Sequence, residues 1–275
     1  MSTSGCGSSA SLDPVAQAAE ATARLAGARI DFSERLSSAA LGQTVTISGA
    51  GYLDQRNRSG ELTMNFPKFP GVASSGTIQT IFSYPLIYIK LGVLAKKLPS
   101  GKPWIEINLQ KAYQDAGINL SSLSSTGEAD PTQFLSYLRG ASGEVSDLGR
   151  ETVDGAPSTR YKATIQFSRV ADRAPANQRA GAVAAVHQLE KIGGASSMPV
   201  EVWIDAQHRV RRERLDIHEH VANTPLDLAE TIDYVSFERV PAIKAPPAGQ
   251  VDDLTSLTAN SLKHGLAGGY AGQPS

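Results

Sequence analysis

The residues with the most chemical potential in this 275-residue chain are His218, Glu219 and His220. On a strand, residues two apart share a face, so His218 and His220 would present two imidazoles side by side, with His208 nearby in sequence. A metal centre needs at least a third placed ligand. Without one, the triplet reads as an exposed polar strand end, and a metal-assisted hydrolase centred on it lacks both a ligand and a base. The other signals weaken on inspection. Gly140-Ala141-Ser142-Gly143 has the wrong spacing for a nucleophile elbow. Gly49-Ala50-Gly51 begins a glycine pattern but has no third glycine and no following helix, so it is expected to be a turn. Asp252 and Asp253 sit in the tail, where no cleft is expected to raise a carboxyl pKa. No phosphate-cradling Gly-x-x-x-x-Gly-Lys-Ser/Thr loop is present. The expectation is a protein that is not an enzyme and has no cofactor or metal.

The single cysteine, Cys6, rules out an intramolecular disulfide and a multi-cysteine metal site. It lies in Thr3-Ser4-Gly5-Cys6-Gly7-Ser8-Ser9, a run of small polar residues. Small residues precede signal-peptidase sites, and the segment looks like the end of a bacterial lipobox whose cysteine becomes lipidated. The apolar signal segment that should come before it is missing, and Met1 stands in its place. That suggests a shortened chain or a mis-assigned start codon. Cys6 is the expected lipid-attachment site, since each buried acyl CH₂ contributes about 0.8 kcal/mol to membrane anchoring. The expected location is therefore outside the cytoplasm, on the outer face of the bacterial cell membrane.

Composition is that of a globular protein, with 41% hydrophobic and 19% charged residues and a net charge of −1. No global field favours nucleic acid. The densest basic cluster, Arg209, Arg211, Arg212 and Arg214, is interrupted by Glu213 and would be split between two faces of a strand. The apolar runs fall short of the ~18 residues needed to span a bilayer.

Asp13-Pro14 marks a helix start, an N-cap acceptor followed by a residue with preset φ. Val15, Ala18, Ala19, Thr22, Leu25 and Ala26 follow at helical spacing and Gly27 ends the run. From Ala28 the period changes to two. Ile30/Phe32, Val45/Ile47, Leu62/Met64/Phe66, Ile78/Thr80/Phe82, Ile87/Ile89 and Ile105/Ile107 alternate over short stretches separated by turn residues, as in an antiparallel meander. Asp130-Pro131 opens a second helix carrying Phe134, Leu135 and Leu138. A second group of strands is expected at 145–153, 159–168, 200–205, 210–221 and 228–237. A third helix is expected over 175–192, with Val183, Val186, Leu189 and Ile192 on one side.

These elements make an α+β fold, a large curved antiparallel β-sheet (half-barrel) with helices covering its concave face. Residues 1–12 form a flexible tether and 13–240 one domain. Residues 241–275 are a proline- and glycine-rich extension with room for one short helix near Leu254, Leu257 and Leu262 and a disordered end from Gly265. A sheet of ten or so strands tends to curl, leaving an apolar space beneath the helices.

Four segments, taken in order, resemble the mycobacterial LppX/LprG-type lipoproteins of the LolA-like superfamily. They are the Leu12-Asp13-Pro14 helix leading into a strand at Ala28; Tyr88-Ile89-Lys90 followed by 98–107 with Trp104; 149–155 running into the strand with Tyr161; and 198–205, Met198 to Asp205, running into Arg209 to Leu215. The resemblance covers about residues 10–240. It implies a hydrophobic cavity that takes acyl chains of lipids or lipoproteins, without catalysis. Only the apolar sheet face carries over: Leu62, Met64, Phe66, Ile87, Ile89 and Phe167 are the expected ligand-binding residues. The expected function is a membrane-anchored carrier or chaperone of lipid. The alternative is an envelope sensor or scaffold that binds a protein partner through the same fold.

Overall fold

The first helix begins where the sequence places it. In the computed structural model, the Asp13 carboxylate accepts hydrogen bonds from Val15 N (2.9 Å) and Ala16 N (3.4 Å), with Pro14 at the first helical position. This helix, α1 (Pro14–Ala23), buries Val15, Ala18, Ala19 and Thr22. The structure describes residues 13–39, 42–68, 75–90, 92, 100–116, 135, 138, 145–173, 179, 183, 196–221 and 224–268.

Twelve strands form one sheet. The first six are β1 (Gly27–Ser38), β2 (Val45–Asp54), β3 (Ser59–Phe66), β4 (Gly76–Ser83), β5 (Leu86–Lys90) and β6 (Trp104–Asn108). They are followed by β7 (Ser146–Val153), β8 (Ala156–Gln166), β9 (Ser197–Asp205), β10 (Val210–Val221), β11 (Thr224–Ser236) and β12 (Val251–Asp253). Their spatial order is β12-β6-β5-β4-β3-β2-β1-β11-β10-β9-β8-β7. The chain thus starts at the middle of the sheet and walks outward to β6. It reappears at the opposite edge as β7 and walks back until β11 pairs with β1 from Ser38↔Leu226 to Arg29↔Ser236. Every pairing is antiparallel except β12 with β6.

Among the described residues the helices are α1, α2 (Leu109–Asp115), α3 (Phe167–Arg173) and α4 (Thr255–Gly268). Leu135 and Leu138 are also helical and fully buried, as the Asp130-Pro131 reading requires. They join α1 and the residues Ile30, Leu53, Phe82, Ile165, Val200, Val202, Leu215 and Tyr234 in one core. These strand residues share one side of the sheet, so α1 and the 135/138 segment cover that side. Thr22 fastens the helix to it: its hydroxyl donates to Ala18 O (2.7 Å) and accepts from Val210 N (2.8 Å) at the irregular start of β10. Of the helix expected over 175–192, Arg179 and Val183 are helical, Val183 is exposed, and the rest lies outside the described residues.

Four expectations need correction. Gly49 to Gly51 is the middle of β2, not a turn. A Cβ at Gly49 would stand 2.2 Å from Thr63 O and 2.5 Å from the Phe32 ring, so glycine here reflects close packing within a strand. Phe167 and Ser168 open α3 instead of ending β8. The short helix expected near Leu254 forms as α4 but runs to Gly268, past the expected disorder at Gly265. Finally, the chain beyond Val240 returns to the sheet. Val251–Asp253 lies parallel to Trp104–Glu106, and Leu254 N donates to Glu106 O (2.9 Å). Ser100 donates to the Asp252 carboxylate, the Lys102 ammonium donates to Val251 O (2.9 Å), and Asn108 N donates to Thr255 Oγ1 (2.9 Å). Ile243 and Val251 pack against Ile81, Tyr88 and Trp104 on the sheet's other side.

Candidate functional site: the helix-covered face of the sheet

Directly opposed residues of an antiparallel pair point to the same side, so the strand register sorts the side chains. Starting from Ile30, the opposed pairs Ile30↔Gly51, Gly51↔Leu62, Leu62↔Thr80 and Thr80↔Ile89 run across five strands. A second row runs Phe32↔Gly49, Gly49↔Met64 and Met64↔Ile78, and a third pairs Gly60↔Phe82 and Phe82↔Ile87. Phe66 stands opposite Gly76. The five expected residues on β3 and β5, Leu62, Met64, Phe66, Ile87 and Ile89, therefore share the helix-covered face. All five are half-buried. Phe167, the sixth, is placed differently. It starts α3 beyond β8, part-buried against the core, and belongs to no row with the other five.

The glycines on this face were not legible as site residues. A Cβ at Gly49 would meet the Phe32 ring at 2.5 Å, one at Gly51 Leu62 Cδ2 at 2.6 Å, one at Gly60 the Phe82 ring at 1.9 Å, and one at Gly76 the Phe66 ring at 2.8 Å. At each position a large apolar side chain from the neighbouring strand lies down over the bare backbone. The aromatic or leucine covers the glycine, as in aromatic rescue of strand glycines, and the apolar layer stays thin. The result is a low, almost wholly hydrocarbon floor from β1 to β5.

Beside that floor stand three carboxyls. Glu34 of β1 is directly opposed to Glu230 of β11, and Glu213 of β10 is opposed to Ile232, one step along. Glu213 is 1% exposed. Tyr234 donates to its Oε1 at 3.3 Å, while Oε2 is buried and takes no hydrogen bond among the described residues. Burial pushes the Glu213 pKa well up, and the negative charge of Glu230 adds to this, against the Tyr234 hydrogen bond. Glu230 is raised by burial and then by Glu34, and Glu34 by burial. Along the described side chains of β1, β11 and 213–217, this face carries no Lys, Arg or His. Nothing in the sequence marked this triad, because it needs the β1–β11–β10 register to exist.

Over β7–β11 the opposite face is polar. Arg160 bridges Glu151 (2.9 Å) and Glu201 (2.8 Å), Trp203 Nε1 donates to Glu151 (2.8 Å), and Arg212 pairs with Asp233 (2.8 Å). The arginine cluster is split as expected: Arg212 and Arg214 lie opposite Asp233 and Thr231 on this outer face. A groove of about 710 Å³ lies at one end of the sheet, lined by polar residues such as Asp54, Arg56, Asn57 and Arg239. None of the six expected residues lines it. His218 and His220 do fall on a strand, opposite Asp227 and Pro225, but their side chains lie outside the described residues, as does Cys6. Among the described residues, no three His, Cys, Asp or Glu side chains are grouped to hold a metal ion, and no helix is long and apolar enough to cross a membrane.

No family model matches the chain. A curated protein of Streptomyces griseus, described as an uncharacterized 31.2 kDa protein in the rplA-rplJ intergenic region, is 24% identical over 131 residues. The match spans 47% of this chain and 42% of that protein, less than half the length of either. Among solved structures, the lipoprotein LppX of Mycobacterium tuberculosis is similar at TM-score 0.46 and 14% identity, covering 84% of this chain and 96% of that one. LprF of Mycobacterium bovis is similar at TM-score 0.45 and 12% identity, covering 85% and 95%. LppX thus returns among the structural neighbours of a chain whose segments resemble LppX/LprG-type lipoproteins.

Proposed function

We propose that this protein is an exported, membrane-anchored lipoprotein that shelters the acyl chains of a lipid or lipoprotein between its sheet and the covering helices, without catalysis. The observation that carries the reading is the glycine-backed floor. Phe32, Leu62, Met64, Phe66, Ile87 and Ile89 form a continuous apolar surface, yet each remains part-exposed. A core that existed only for stability would bury such residues fully, because each gains about 1.5–3 kcal/mol on doing so. Flattening Phe32, Leu62 and Phe66 over Gly49, Gly51 and Gly76 gives up layer thickness and leaves height above the sheet for a ligand. A hydrocarbon chain laid there would bind by removing its own and the floor's surface from water. Anchoring through Cys6 would place such a carrier at the membrane that holds its ligand.

Native mass spectrometry of the protein from its own host, with fluorescent fatty-acid uptake by the stripped protein, tests the reading. Bound lipid in the first measurement, and saturable uptake that Met64→Lys abolishes in the second, are expected. A ligand-free spectrum together with no uptake would overturn it. For the anchor, the full-length protein should incorporate a fatty-acid analogue in cells, and label persisting in Cys6→Ala would exclude that role.

A further inference from the structure

We propose that Glu34, Glu230 and Glu213 form the polar end of the lipid site and select an amphipath with a cationic, ammonium-type head group. This inference rests on the lipid-binding reading above and names the class of ligand. Like charges placed directly opposite on neighbouring strands are destabilising, yet Glu34 and Glu230 face one another on an otherwise apolar surface. Glu213 is buried behind them with Oε2 unpartnered among the described residues, and a buried carboxyl left so costs free energy that a hydrogen-bond donor would recover. The guanidiniums nearest in sequence are committed elsewhere: Arg212 pairs with Asp233 (2.8 Å), Arg214 pairs with Asp216 (3.0 Å), and Arg211 donates to Val235 O (3.1 Å) and lies over the Phe237 ring at 5.2 Å.

The carboxyls belong to three neighbouring strands, and among the described residues they are not grouped tightly enough to chelate a metal ion. That spread suits an organic cation, whose several N–H donors reach acceptors farther apart than metal coordination allows. The triad also adjoins the floor. Glu34 is opposed to Ile47 on β2, and Phe32, two residues earlier, covers Gly49. An extended chain over β2–β5 would therefore bring its head to the three glutamates.

The test compares dodecylamine, dodecanol and dodecanoic acid, below their micelle concentrations, by calorimetric titration of the full chain. The amine should bind roughly tenfold or more tightly than the alcohol, the scale of a charge-assisted hydrogen bond, and the acid most weakly. In Glu34→Gln/Glu230→Gln the amine-to-alcohol ratio should fall to about two or less while alcohol binding persists. Should the double variant not fold, Glu230→Gln alone should lower the ratio. Equal binding of amine and alcohol by the wild type, or an unchanged ratio in the folded variant, would overturn the proposal and leave the lipid-binding reading intact. Failure of all three probes to bind would overturn both.

Discussion

Replacing Glu213 by glutamine should flatten the pH dependence of stability above the ordinary carboxylate range. Burial lifts the Glu213 pKa well above 4.5, whereas the unfolded chain titrates near that value. Between the two values the folded protein holds a proton that the unfolded chain has released. Stability is then fully present below the ordinary value and is lost as pH rises toward the folded pKa. One proton corresponds to about 1.4 kcal/mol per pH unit at most, hence up to roughly 3 kcal/mol between pH 5 and pH 7. Glutamine stays neutral and keeps an oxygen for the Tyr234 hydroxyl, so it removes this slope. Any cost of its unpaired amide hydrogens, about 1–3 kcal/mol, shifts the curve without tilting it. Glu230 and Glu34 are raised for the same reason and should leave a smaller slope of the same sign. Glu151, Asp252 and Asp253 are instead held down by hydrogen bonds from Trp203, Ser100 and Thr255, so their contributions are lost only as pH falls below the ordinary carboxylate range. Urea unfolding at pH 5, 6 and 7, followed by the two buried tryptophans Trp104 and Trp203, measures the effect. Equal slopes for wild type and variant would refute the account of Glu213 as a buried, under-partnered carboxyl.

Gly60→Ala should cost about 1–3 kcal/mol by overpacking, since its Cβ would sit 1.9 Å from the Phe82 ring. In a double-mutant cycle by urea unfolding, Phe82→Leu should recover part of that loss. Arg160→Ala, which breaks two part-exposed ion pairs, should lower stability by no more than about 1 kcal/mol and leave lipid uptake unchanged. Truncation after Val240 removes β12 and uncovers the β6 edge. Trp104 emission should shift to the red and the protein should associate on size-exclusion chromatography, and an unshifted monomer would contradict the docking of the tail.

The sheet was legible because its strands alternate, and the alternation of Val45, Ile47, Leu53, Leu62, Met64 and Phe66 matches the register in phase. The site was legible only in part, for reasons of distance in sequence. Gly49 and Gly51 look like turn residues until Phe32 and Leu62 are placed over them, and those partners lie 17 and 11 positions away. Glu34 and Glu230 are 196 positions apart and meet only because β11 returns beside β1. Phe167 failed as a floor residue because strand β8 stops one residue earlier, where Phe167 N turns to donate to Ser196 O (3.1 Å). Local pattern encodes which residues are apolar and alternate. It does not encode which bare backbone a ring will cover.

The two edges of the sheet show how the same chain meets one problem by opposite means. An unpaired strand edge invites association. At β7 the first seven residues, Ser146 to Thr152, are exposed; they include Asp147, Arg150 and Glu151, and Gly149 at φ +102° sits in a register shift. Charge and irregularity protect that edge, so it needs no cover. At β6 the strand reads Trp-Ile-Glu-Ile-Asn, with Trp104 and Ile105 buried, and carries no such defence. Here β12 pairs along the edge, and Asp253, accepting from Thr255 N (2.8 Å), leads directly into α4. The proline-rich stretch 241–247 is what makes this reach possible. The chain leaves β11 near the sheet's centre and passes six strands, β1 to β6, before it pairs as β12, an extended path to which proline is suited. Its apolar residue Ile243 drops onto the Ile81, Tyr88 and Trp104 cluster on the way. The C-terminal chain therefore covers β4 to β6 from the side opposite the glycines. Loosening it should weaken lipid uptake and stability together.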